Sequence, residues 1–464
     1  DTEITGMTAD SRKVQPGFIF AALKGVAADG RDFIPKAIEA GAIAVIGHDL
    51  GDTGSAVAID VAEPRLMLAE ASATFYGAQP ETIVAVTGTN GKSSTVDFLR
   101  QIWSACGLSS ASMGTLGAIG PNGHLDLGHT TPDPVAIHAT LAMLAGEGVT
   151  HCAMEASSHG LAQYRLDAVK LAACAFTNLT QDHLDYHDTM DDYRDAKMRL
   201  FAELMPAGAP AVVNADSPER GAFEAAAIAA GLKPVSVGWR GEDLKIAELM
   251  PKATGQTLFL KWQGDEFQVD LPLIGEFQAL NALTAAGLAL ALGAPLEGVC
   301  EGMSKLEPVK GRLEFVGETE AGAGVFVDYA HTPDGLDVLI RAARPHTAGR
   351  LVVIFGCGGD RDRKKRPLMG EIAAKHADVA IVTDDNPRSE DPASIRKAIL
   401  EAVPNGIEIG DRGEAIRKAI ADLKAGDTLL IAGKGHETGQ IVGSKIIPFS
   451  DQETARDALA GGAS

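Results

Sequence analysis

The 464-residue chain is too long for one ordinary core, and at about 100–200 residues per domain it predicts two to four domains. Its composition, 45% hydrophobic and 22% charged with 52 glycines, is that of a soluble globular protein rich in tight turns. A formal net charge of −21 argues against nucleic acid or an anionic membrane as the main partner; small anionic substrates stay open, because a nest of backbone amides binds phosphate even on an acidic protein.

Residues 1–79 carry short apolar runs at 17–22 and 42–46, broken by Gly and Asp, and read as a small α/β unit closing near Gly77. The chain opens on Asp1 rather than Met, which implies residues upstream. Residues 80–310 begin with a β-branched run at 82–87, then a glycine loop and a helical pattern to Cys106. Further buried strands are expected over 150–154, 172–177 and 211–214. In residues 311–464 strands are expected over 325–328, 351–355, 379–383 and 428–432. Polar residues follow each of these last four, which predicts parallel sheets with ligands at the carboxyl ends of the strands. Five scattered cysteines without a CxxC spacing point away from disulfides and zinc and toward a reducing cytoplasm. No apolar run reaches about 18 residues and no signal peptide is visible, so membrane insertion is not expected.

Thr87-Gly88-Thr89-Asn90-Gly91-Lys92-Ser93-Ser94 lies between an expected strand and an expected helix. Loop amides and a helix N-terminus make an anion site there, with Lys92 suited to phosphate charge and the Ser93 hydroxyl to Mg²⁺. Val86 stands where the usual Walker loop has its first glycine. The plain alternative is a glycine turn with an incidental lysine.

This loop resembles that of the Mur ligases and of folylpolyglutamate synthases. Four later segments follow in Mur ligase order: Met154-Glu155-Ala-Ser157-Ser-His-Gly160, Thr177-Asn-Leu-Thr-Gln-Asp-His183, Tyr193-Arg-Asp-Ala-Lys197 and Asp328-Tyr-Ala-His-Thr-Pro333. The resemblance covers nearly the whole chain. It implies three α/β domains: a uridine-binding unit at 1–79, a P-loop ATPase-like doubly wound sheet at 80–310, and a Rossmann-like amino-acid-binding domain at 311–464. It also implies ATP-dependent amide formation, in which phosphoryl transfer converts a carboxylate into an acyl phosphate. Carboxylate and triphosphate repel, so metal ions and fixed cations must bring them together. The resemblance assigns Ser93 and Glu155 to one Mg²⁺ and His183 to a second. It assigns Lys197 as a carbamate formed with CO₂, since an ammonium would only repel the metal. Plain alternatives are a structural carboxylate at Glu155, a core histidine at His183 and an exposed helix lysine at Lys197.

For the nucleotide, the resemblance implies Asn281, Arg312 and Asp328; Gln278 departs from the family's Asn, and the plain reading of Asp328 is a cap on the helix that follows, a role compatible with the other. For a UDP-N-acetylmuramoyl-L-alanyl-D-glutamate substrate it implies Ser11 with the 25–30 loop, then Thr130, Thr131, Ser157, Gln163 and Arg165, with His129 where relatives often carry Asn. Asp385-Asn386-Pro387-Arg388 matches the motif of diaminopimelate-adding members, with Arg361, Gly433 and Glu437 around the same distal group. Meso-diaminopimelate differs from lysine by one distal carboxylate, and a guanidinium is the natural two-point partner for it. The expected protein is a cytoplasmic monomer acting on small molecules. Its rivals are a lysine-adding homologue, a folylpolyglutamate synthase without the uridine unit, a P-loop ATPase with a full Walker loop, and a non-catalytic nucleotide-binding module.

Overall fold

The structure, a computed structural model, describes residues 3–25, 28–180 and 186–461. The chain folds as two compact units. One holds the described residues up to Lys245 with Asn281–Gly302; the other holds Ile246–Leu280 and the described residues from Met303 onward.

The first unit begins with four parallel strands in sequential order, β1 (Gly6–Thr8), β2 (Phe18–Ala21), β3 (Ala44–Gly47) and β4 (Val57–Asp60). The apolar runs read from sequence supply β2 and β3, and β3 is buried along its length. The helix Pro64–Tyr76 buries Leu68 against Met7, Ile19 and Ile46 and stops at Gly77, whose φ of 68° suits glycine.

The main sheet of this unit contains β5 (Thr82–Thr87), β6 (Ser110–Gly114), β7 (Gly117–Gly120), β8 (Gly123–Leu125), β9 (His151–Glu155), β10 (Leu171–Phe176), β11 (Pro210–Asn214) and β12 (Lys233–Gly238). They lie in the order β12-β11-β10-β5-β9-β6-β7-β8. From β12 to β6 the pairing is parallel, and β6, β7 and β8 form an antiparallel meander. β13 (Leu244–Lys252) joins β12 at Leu244 and Lys245. Ile83, Met154, Phe176 and Val213 are buried beneath flanking helices, as a two-sided parallel sheet requires. Because β5 has β9 on one side and β10 on the other, the loop after β5 opens where the strand order reverses. That is the place for a ligand in such a sheet. The expected strands at 82–87, 150–154, 172–177 and 211–214 correspond to β5, β9, β10 and β11. The meander was not expected, since Ser-Ala-Ser-Met-Gly and Gly-Ala-Ile-Gly lack the β-branched density that signals a strand.

The second unit carries a hairpin of β14 (Gly255–Trp262) and β15 (Asp265–Leu271), turned by Gln263 and Gly264, both at positive φ. Its main sheet comprises β16 (Glu314–Glu318), β17 (Gly324–Asp328), β18 (Leu351–Phe355), β19 (Val379–Val382), β20 (Ile407–Glu408) and β21 (Thr428–Ala432), in the order β16-β17-β21-β18-β19-β20. All pairs are parallel except β16 with β17. The four expected strands are β17, β18, β19 and β21. A small hairpin, β22 (Gly439–Val442) with β23 (Lys445–Pro448), follows.

A buried ion pair links two helices of this unit to its sheet. Arg412, at the start of the helix Arg412–Asp422, meets both oxygens of Asp451 at 2.7 Å, and both side chains are wholly buried. The same guanidinium donates to the Ala432 carbonyl at the end of β21. Removing one partner of such a pair strands a buried charge, which costs about 3–5 kcal/mol. Asp451→Ala should therefore lower the stability of this unit by about 3–5 kcal/mol in urea unfolding. A loss under about 1 kcal/mol would mean that water reaches the guanidinium.

Candidate active site

The loop after β5 is shaped by two glycines that admit no side chain. A Cβ on Gly88 (φ 149°) would lie 2.0 Å from Thr177 Oγ1, and one on Gly91 (φ 84°) would lie 2.3 Å from Asn281 Oδ1. Asn281 is thereby packed on the loop itself. The neighbouring segment after β10 grips the loop: Thr89 N–H donates to the Asn178 carbonyl at 2.8 Å, Asn90 N–H to Asn178 Oδ1, and Thr177 Oγ1 to the Asn90 carbonyl at 2.6 Å. Gly91 caps the helix Lys92–Ala105 without a side chain, an uncapped helix start of the kind that can bind an anion.

Two lysines converge on this loop. Lys92 Nζ donates to the carbonyls of Gly88 and Thr89 at 2.9 and 2.8 Å. Lys197 Nζ also donates to Gly88 O, at 2.8 Å, and lies 4.4 Å from the centre of the Tyr193 ring. Lys197 is only 1% exposed, so the exposed-lysine alternative fails. Tyr193 Oη reaches Thr89 Oγ1. His183 lies outside the described residues.

Glu155, at the end of β9, is buried and accepts from Ser93 Oγ at 2.8 Å. Thr115, in the turn between β6 and β7, adds its N–H to Glu155 Oε1 at 2.7 Å and its hydroxyl to Oε2. Sequence reasoning missed Thr115, because nothing in the run Gly114-Thr115-Leu116-Gly117 marks a partner 40 residues away. Thr115 Oγ1 also meets Thr130 Oγ1 at 2.9 Å. Thr131 donates to the Glu155 carbonyl and accepts from Ser157 N–H. Arg165 donates to the Thr131 carbonyl and to Gln163 Oε1. Thr130, Thr131, Ser157, Gln163 and Arg165 thus form one polar wall beside Glu155. Ser157 Oγ also caps the short helix after it. Ser11 sits in the turn Ser11–Lys13 after β1, where Asp10 is already paired with Arg12.

The second unit gathers its own polar cluster at the ends of β18, β19 and β21. Gly358 and Gly359 leave room for the 385–388 segment: a Cβ on Gly359 would lie 1.9 Å from the Pro387 carbonyl, and one on Gly358 would lie 2.7 Å from Arg388 Nη1. Arg388 adopts φ 52°, costly for a side-chain-bearing residue, and donates to the Gly359 carbonyl at 2.9 Å. The β22 strand holds that conformation through Arg388 N–H to Ile441 O and Gly443 N–H to Arg388 O. Asn386 Nδ2 donates to Glu437 Oε2 at 3.0 Å. The stem of Arg361 lies beside the same Gly358, with its head exposed. Gly433, at φ 118°, begins the turn that carries Glu437. Buried Lys434, which sequence reasoning did not single out, joins Asn386 and Glu437. Asp328 is not a helix cap. Its carboxylate accepts from the N–H groups of Leu313 and Ala330, while Thr332 caps the helix Pro333–Ala343. Arg312 stacks over Tyr329, 4.8 Å from the ring centre. Burial raises the thiols of Cys152 to about 12 and Cys357 to about 11, so neither is a nucleophile at neutral pH.

Three family models match in order along the chain: the Mur ligase family catalytic domain at 3–76, the Mur ligase middle domain at 86–289 and the Mur ligase glutamate ligase domain at 311–435. A curated relative from Chelativorans sp. (strain BNC1), named UDP-N-acetylmuramoyl-L-alanyl-D-glutamate–2,6-diaminopimelate ligase, is 53% identical over 462 residues, covering 99% of this chain and 95% of the relative. The chain is a Mur ligase. A relative of the same name from Agrobacterium fabrum is 52% identical over 99% of this chain and 94% of its own. A solved structure also bearing that name superposes with a TM-score of 0.77 at 34% identity, covering 99% of this chain and 95% of that one. This Mur ligase therefore has the three-domain mixed α/β architecture of its family.

Glu155 has no slack in its seat. A Cβ on Gly114 would lie 2.0 Å from its Oε1. Gly114→Ala should displace the carboxylate from Ser93 and lower kcat by about 10²-fold or more, the usual loss for one preorganised polar contact. A wild-type rate in this variant would show that Glu155 acts equally well from another position.

Proposed function

We propose that this Mur ligase joins meso-diaminopimelate to the D-glutamate carboxylate of UDP-N-acetylmuramoyl-L-alanyl-D-glutamate, with ATP as the activating substrate. The observation that carries the amino-acid choice is that the 385–388 segment supplies both a strained, backbone-held Arg388 and Asn386, which donates to the carboxylate of Glu437. Such a wall offers a cation to a distal carboxylate and an anion to a distal ammonium. Lysine has only the second group.

The residues divide the chemistry between them. The loop amides and Lys92 hold the β- and γ-phosphates. The wall of Thr130, Thr131, Ser157, Gln163 and Arg165 holds the muramoyl dipeptide, with Arg165 suited to a carboxylate. A D-glutamate carboxylate oxygen attacks the γ-phosphorus, the bond to the β-bridging oxygen breaks, and ADP leaves. The incoming amine, having lost its proton, attacks the acyl carbon and displaces inorganic phosphate. Ser93 Oγ and Glu155 Oε1, 2.8 Å apart, are hard oxygen donors that fit Mg²⁺. Among the described residues no group of three His, Cys, Asp or Glu is placed to hold a metal ion, so phosphate oxygens and water would complete that shell. Mg²⁺ supplies charge neutralisation on the phosphates. Lys197 as an ammonium donates to Gly88 O and cannot ligate a cation; losing one proton to give the amine, adding CO₂ and losing a second proton would turn it into a carbamate with oxygen ligands. No described helix is long and apolar enough to cross a membrane, and the five cysteines are free, which suits a cytoplasmic reaction.

Oxygen-18 placed in the D-glutamate carboxylate should appear in the released phosphate, one atom per turnover. Its absence there would exclude the acyl phosphate.

The specificity reading is tested by kinetics with both amino acids. A site built on a buried polar contact rejects an analogue lacking the group by about 10⁴-fold or more. Wild-type enzyme should show that preference for meso-diaminopimelate over L-lysine in kcat/KM. Arg388→Ala should raise the KM for diaminopimelate by on the order of 10²-fold, with the KM for ATP little changed. Comparable wild-type use of lysine would overturn the choice of amino acid and leave the ligase reading standing.

A further inference from the structure

Lys434 is wholly buried, and none of the steps above uses it. An ammonium without water must find acceptors, or its burial costs several kcal/mol. Its Nζ donates to Asn386 Oδ1 at 3.1 Å and to Glu437 Oε2 at 3.0 Å, and lies 3.6 Å from Asp385 Oδ1. The two acceptors and the Asp385 carboxylate come from two chain segments, the 385–388 loop after β19 and the turn after β21.

The bonding pattern is directional. Asn386 Oδ1 accepts from Lys434 and from Ile441 N–H, so its amide nitrogen points at Glu437 Oε2. Both hydrogen bonds to the Glu437 side chain among the described residues end on Oε2. We infer that Lys434 is a positioning residue for the amino-acid substrate: it orients the Asn386 amide and the Glu437 carboxylate, and keeps Glu437 an anion. The inference rests on the reading of this cluster as the amino-acid site.

The electrostatics agree. Burial alone would raise the Glu437 carboxyl, but the hydrogen bonds from Asn386 and Lys434 bring it below its usual value. The other charged or titratable groups around it are His436 on its own turn, Asp385 beside Asn386, Tyr329 after β17 and Arg412 at its helix start. Of the cations, Lys434 alone is hydrogen-bonded to the carboxylate among the described residues. Since Glu437 sits low, the anion needed for substrate is present above its pKa and is lost as pH falls through it. Removing the ammonium moves that loss to higher pH.

The test compares wild type, Lys434→Met, Glu437→Gln and the double variant with meso-diaminopimelate and ATP. Lys434→Met should raise the KM for diaminopimelate at least 10-fold, leave the KM for ATP within about twofold, and shift the acid limb of kcat/KM upward by about one pH unit or more. In the Glu437→Gln background the same change should add less than about twofold, because the lysine acts through the carboxylate. An unmoved acid limb, or a full additional penalty in the Gln background, would overturn the inference and show a purely structural lysine. If Lys434→Met does not fold, the neutral double variant decides alone: a KM equal to that of Glu437→Gln supports the role, and a further 10-fold rise refutes it. Failure of the wild-type enzyme to use diaminopimelate would instead refute the substrate reading.

Discussion

Two ammonium groups donate to one carbonyl oxygen, that of Gly88, and the phosphate loop is organised around this convergence. Like charges brought so close in a partly buried setting repel, and an anion bound beside them would ease that repulsion. The backbone cannot move away, because Gly88 is pressed against Thr177 and Gly91 against Asn281. A loop of this kind is preorganised for a triphosphate before any triphosphate arrives, which is the condition for electrostatic stabilisation to lower a barrier. Conversion of Lys197 to a carbamate would replace one of the repelling cations by an anion, leaving Lys92 as the fixed positive charge.

The rest of the first cluster follows from where strands end. Glu155 terminates β9, Thr177 follows β10 and Thr87 closes β5, so three parallel neighbours deliver their polar residues to one edge. The meander of β6 and β7 adds Thr115 from the far side of β9. Its backbone N–H and hydroxyl, together with Ser93, leave Glu155 few ways to rotate. A carboxylate held so tightly is a fixed charge rather than a mobile one.

The second cluster uses the same geometry for a different end. Here the close approach of Gly358 and Gly359 to the 385–388 segment lets β22 clamp Arg388 in a left-handed conformation. Strain of about 1–3 kcal/mol at such a residue is sustained only by surrounding contacts. Those contacts come from backbone groups of the hairpin, whose outer residues Ile446 and Ile447 are exposed. The placement of Arg388 thus depends on main-chain bonds as much as on its guanidinium.

Much of this was legible from the sequence. The strands at 82–87, 351–355 and 428–432 are dense in β-branched and aliphatic residues, and their burial follows directly from that density. The glycine turn at 88–91 and the strand-end Glu155 are local patterns, whereas Lys197 and the 385–388 segment are marked by their resemblance to Mur ligase motifs. What the sequence could not supply was who meets whom. Lys197 reaches Gly88 across 109 residues, Lys434 reaches Asn386 across 48, and Thr115 reaches Glu155 across 40. Asp328 serves Leu313 behind it rather than the helix ahead. Local pattern reports which face of an element is buried; strand order decides which buried faces become neighbours, and that order is fixed only when the sheets close.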